Sequence, residues 1–134
     1  MACSNGTAAP APDAGVACLG CDFDASAPWT DPALPLHTRV VSMLHDCTGA
    51  EACHATGSGG LTITIGSELT NLVNVPAIER PELLRVAPGD PSASYMYLKL
   101  ARDGGFIRAG MPASEPFDPR RPELARAWIE AGAP

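Results

Sequence analysis

The chain has 134 residues, enough for one domain of the usual size of about 100 to 150 residues plus a tail, and too few for two independent cores. Its net charge of -6 and pI near 4.8 exclude a general affinity for nucleic acid or anionic lipid, which both need a basic surface, and favour encounters with basic partners. Two Trp, two Tyr and three Phe are few for a core of about 100 ordered residues, so a bulky filler or covalent staple is expected, and no apolar run nears the roughly 18 residues that cross a bilayer.

The first segment, residues 1–33, is rich in Ala, Pro, Gly, Ser and Asp without helical or strand periodicity and reads as a tether. Its opening Met1-Ala2-Cys3-Ser4-Asn5-Gly6 resembles the junction of a bacterial lipoprotein, where a small residue precedes the lipid-bearing cysteine. That resemblance implies export to the periplasm or outer membrane and a lipid anchor at Cys3. The alternative is an ordinary cytosolic N-terminus with a free thiol. Cys18-Leu19-Gly20-Cys21 has the CxxC spacing of redox and zinc motifs, but no βαβ pattern or second ligand pair accompanies it, which favours a local disulfide.

From residue 34 to 134 helical patterns dominate. Pro35 opens a first helix with Leu36, Val40, Val41 and Leu44 on one face, running into Cys47. After Gly57, Gly59 and Gly60, the alternation of Leu61, Ile63 and Ile65 with threonines predicts a short strand or extended segment. Ser67 is placed to cap a brief helix through Leu72 and Val73. Asp90-Pro91 starts another helix, with Ala93, Met96, Tyr97 and Leu100 on one face and a stop at Gly104-Gly105. A last helix begins near Pro119 or Pro122, presents Leu124, Ala127, Trp128 and Ala131, and stops at Gly132.

The segment that carries chemistry is Cys47-Thr48-Gly49-Ala50-Glu51-Ala52-Cys53-His54. A Cys directly followed by His, with another Cys shortly before, is how c-type haem is attached: two thioethers hold the porphyrin and the His becomes an axial ligand. Downstream, Gly110-Met111-Pro112 offers a thioether in a loop between helices, and a His/Met pair is the axial set of cytochromes c. With Gly59-Gly60-Leu61, the run Arg85 to Pro91, Tyr95 to Leu100 and the closing Ala127-Trp128-Ile129-Glu130-Ala131-Gly132-Ala133-Pro134, the chain from residue 34 onwards resembles a cytochrome c domain of the kind found in planctomycete and myxobacterial exported proteins.

The resemblance implies an all-α, cytochrome c-like domain over residues 34–134 and a covalent haem c held by Cys47 and Cys53. His54 and Met111 would be the metal ligands, in a single-electron carrier whose partner is a redox or envelope protein. Two features depart from the family pattern. Five residues rather than two separate the cysteines, and Gly60 stands near where many members have a Pro whose carbonyl orients the ligand His. The longer loop keeps open a Cys47 to Cys53 disulfide in a haem-free binding or structural module. A copper site of His54, Met111 and a thiolate or His45 is the third reading. Arg85 is a candidate partner for a haem propionate or for a surface ion pair. No hydrolase or transferase constellation stands out: Ser92 and Ser94 lack a placed base, and the glycines from Gly57 to Gly60 lack the Lys of a phosphate loop.

Overall fold

The computed structural model describes residues 27–134, except 46, 47, 49–53, 55, 56, 65 and 113–115. Among the described residues three α-helices carry the core, and the sequence explains most of their limits. In α1 (Leu36–His45), the Pro35 carbonyl accepts the Arg39 amide at 3.0 Å, so the proline sits just ahead of the helix. Val40, Met43 and Leu44 form the buried face, and Leu36 and Val41 lie half-buried. Cys47, into which this helix was expected to run, lies outside the described residues.

Residues 61–64 are extended with Ile63 buried, Leu61 half-buried and both threonines exposed, as their alternation predicts. No ladder forms there. Pairing among the described residues is confined to isolated bridges of Val73 with Val86, Pro76 with Leu84, and Leu84 with Ser94. The brief helix expected after Ser67 is instead a run of turns. The physical reason is that the Leu72 carbonyl accepts the Val86 amide at 3.1 Å and the Asn74 amide bonds the Val86 carbonyl at 2.9 Å. Those groups are therefore taken by a distant segment before a second helical turn can form.

Asp90 caps a 3₁₀ turn over Pro91–Ala93. Fully buried Ser94 then interrupts the helix, accepting the Ala87 amide at 2.8 Å and donating to the Asp90 carbonyl at 2.8 Å. α2 (Tyr95–Ala101) follows and ends at Arg102, whose left-handed backbone (φ 53°) returns its amide to Leu98, ahead of the expected Gly104-Gly105 stop. Its most buried side chains are Tyr95, Lys99 and Leu100, while Met96 and Tyr97 are half-buried. This rotation of the buried face brings a lysine inside.

α3 (Arg120–Glu130) begins directly after Pro119, with Pro122 in its first turn where a missing N-H is harmless. Leu124, Ala125, Trp128 and Ile129 are buried, and Ala127 and Ala131 face outward. The Gly132 amide bonds the Ile129 carbonyl and the Ala133 amide the Trp128 carbonyl, both at 2.9 Å, which is a Schellman C-cap. α3 packs on both α1 and α2. A 3₁₀ turn at Pro28–Thr30 also packs on α1, and its Trp29 is only 1 % exposed within the core cluster. The tether read over residues 1–33 thus includes a core residue, fixed by Arg39, whose Nε donates to the Trp29 carbonyl at 3.0 Å, and by the Arg121 guanidinium 4.8 Å from the indole centroid. No helix among the described residues is long and apolar enough to cross a membrane.

Candidate functional site

His54 is half-buried at the start of a loop that folds back on itself: its carbonyl accepts the Ile63 amide at 2.8 Å. The His54 Nδ1 lies 3.2 Å from the Leu61 carbonyl. A carbonyl only accepts, so it is Nδ1 that donates, the arrangement by which a backbone carbonyl orients an imidazole. The orienting carbonyl therefore comes from Leu61, one residue beyond Gly60. Arg85 clamps this loop: its guanidinium donates to the Gly60 carbonyl at 2.8 Å and the Asn71 carbonyl at 2.7 Å. The bonds described for Arg85 make it a backbone clamp, a role the sequence did not indicate.

Met111 is half-buried and packs on the main core cluster, as does Leu61. Met111 and Leu61, the residue whose carbonyl meets His54, thus pack against the same core cluster. The Met111 amide bonds the Lys99 carbonyl at 2.9 Å, and the Arg102 guanidinium reaches the Pro112 carbonyl at 2.8 Å. The Lys99 ammonium donates to Glu79 at 2.8 Å, the Ile107 carbonyl at 2.9 Å and the Ala109 carbonyl at 3.3 Å, so each of its three hydrogens has an acceptor. Tyr95 completes the group by donating to Glu79 at 2.5 Å and accepting the Ile107 amide at 3.0 Å. Burial opposes ionisation of Glu79, but the hydrogen bonds from Lys99 and Tyr95 outweigh it and hold the carboxyl below its ordinary range. Burial, reinforced by Glu79, pushes the Tyr95 phenol up. Sequence reading missed Lys99, Tyr95, Glu79 and Leu61. The signal available was a lysine four residues after a tyrosine in an otherwise apolar helix.

His45 pairs with Glu68, whose carboxylate also accepts the Gly66 amide at 2.7 Å, so its imidazole holds the 66–68 turn to α1. Among the described residues no three His, Cys, Asp or Glu side chains converge on a metal-sized point. A cleft of about 260 Å³ between Trp29, Leu36, Arg39, Arg120, Leu124 and Ala127 lies away from His54 and Met111, and its bases are engaged: Arg39 by the Trp29 carbonyl, Arg120 by Asp118. Cys3, Cys18, Cys21, Cys47 and Cys53 all lie outside the described residues. No family model, curated protein or solved structure matches the chain.

Proposed function

We propose that the chain is a mono-haem c-type cytochrome that passes single electrons at the bacterial cell envelope, with Cys47 and Cys53 holding the porphyrin and His54 and Met111 as axial ligands. The observation that supports this reading is the hydrogen bond from His54 Nδ1 to the Leu61 carbonyl, which orients the imidazole of the residue that follows Cys53 in the sequence. The chemistry of the donor set suits the group: an imidazole held by a backbone carbonyl and a thioether packed on the apolar core. Bound there, a haem would supply reversible one-electron chemistry. The residues of this chain would set its ligand field, limit water around it and offer an acidic surface to a basic redox partner. A lipid at Cys3 would hold the domain at the envelope.

A second reading is a haem-free envelope module stapled by a Cys47 to Cys53 disulfide. It is favoured by the five-residue spacing and by Leu72, Val86 and Trp128, which are wholly enclosed by protein atoms. The test is the visible spectrum and mass of the full chain made with periplasmic export and haem-attachment machinery, before and after dithionite. Sharp reduced-state bands and a mass gain of one haem are expected. A colourless protein short of two hydrogens per disulfide overturns electron transfer and selects the stapled module.

A further inference from the structure

The described part of the Met111 loop is held from the α2 side by charged and polar groups that the core would otherwise exclude. Lys99 is 9 % exposed and Tyr95 7 %, four residues apart on α2. A buried ammonium is costly unless it is paired and fully hydrogen-bonded, and here it is both. Its side chain holds the Ile107 and Ala109 carbonyls, and its own carbonyl holds the Met111 amide. One residue thus binds the loop at three points within five residues. Tyr95 adds a bond to the Ile107 amide, and Arg102 adds one to the Pro112 carbonyl just past the methionine. Gly110 lets the Arg102 stem pass close to the backbone: a Cβ there would lie 2.6 Å from the Arg102 Cγ.

We infer that Lys99, seated by Glu79 and Tyr95, is a positioning residue that fixes the Met111 loop on the core and so directs the Met111 thioether. The inference rests on the reading of Met111 as an axial ligand, because an ordinary packing methionine needs no such restraint. A hydrophobic loop could be held by apolar contacts alone. Hydrogen bonds to the backbone of alternate residues, Ile107, Ala109 and Met111, instead fix its register and rotation, which is what a directional sulfur ligand requires.

The test uses the full chain loaded with haem, as Lys99→Met and as Tyr95→Phe. The readouts are covalent haem by mass and the far-red charge-transfer band of a methionine-iron bond in the oxidised protein. Lys99→Met should keep the haem and lower the ratio of methionine-bound to methionine-free iron, read from that band, by about tenfold, the change that loss of a hydrogen-bonded anchor worth ~1.4 kcal/mol produces, with a smaller loss in Tyr95→Phe. Wild-type band strength in both variants overturns the inference. Carbon-13 methyl spectra of methionine-labelled, haem-free chain provide the independent arm. The Met111 methyl should broaden or move toward its unfolded position in Lys99→Met while the core methyl of Met43 stays put, and an unmoved Met111 methyl overturns the assignment. Loss of the Met43 signal as well marks an unfolded variant and passes the decision to Tyr95→Phe. A colourless wild type overturns the haem reading, whereas the methyl spectra still decide whether Lys99 holds the loop.

Discussion

Gly60 joins the His54 loop to its clamp. Its backbone sits at φ +74°, its carbonyl is gripped by Arg85, and a Cβ built there would fall 2.3 Å from the Ile78 Cδ1. Those two obstacles differ in weight. Ile78 is 61 % exposed and can swing away, but the left-handed backbone costs any residue with a Cβ about 1–2 kcal/mol. Gly60→Ala should therefore lower stability by roughly that amount in urea unfolding. Adding Ile78→Ala should restore little of it; full recovery would show that the side-chain clash dominates. Sequence reading singled out Gly60 only against the cytochrome c pattern that the chain resembles, and could not show that the carbonyl one residue later meets His54. That contact is a matter of loop geometry, and no residue type encodes it.

Among the elements, α3 is the one whose loss the fold tolerates least. Trp128 is fully buried and its Nε1 donates to the main-chain oxygen of Pro134 at 3.0 Å. Removing the indole leaves a cavity at the centre of the core, so Trp128→Ala should cost about 3–5 kcal/mol. In a domain whose total stability is of the order of 5–15 kcal/mol, thermal unfolding followed by circular dichroism should show a transition lowered to near ambient temperature. The positions of the three helices were legible because proline starts, glycine stops and 3.6-residue spacing are local signals. Their inward faces were less so. In α2 the apolar pattern pointed to Met96 and Tyr97, whereas a satisfied Lys99 lies deeper, because hydrogen bonds from other segments made its burial affordable. The Ser67 segment failed for the same kind of reason, since its backbone groups pair with residues near Val86 rather than with each other. Trp29 was hidden by the proline- and alanine-rich run around it.

For the molecule as a whole, Glu68, Glu79 and Tyr95 are among the groups that tie the stability of the fold to pH. Burial raises the cost of charge at Glu68 and at Glu79, yet hydrogen bonds from His45 and Gly66 to the first and from Lys99 and Tyr95 to the second leave both below their ordinary values. A depressed carboxyl supports the fold above its unfolded pKa and loses that support as pH falls. Tyr95, displaced upward by burial and by Glu79, has the opposite sign: its support is full below the unfolded phenol pKa and declines as pH rises. Urea midpoints should accordingly fall below about pH 4.3 and again above about pH 10. Glu79→Gln should flatten the acid limb, and an unchanged limb would count against Glu79 as a contributor.

The Pro134 oxygen is also held by His37, whose Nδ1 lies 2.7 Å away across 97 residues of sequence. The first and last helices are thus joined directly, and Trp29 closes on the same core. Contacts so distant along the chain cannot form until α3 has been synthesised and released. During translation α1 and α2 lack α3, the helix on which both pack, so the core stays incomplete until α3 emerges.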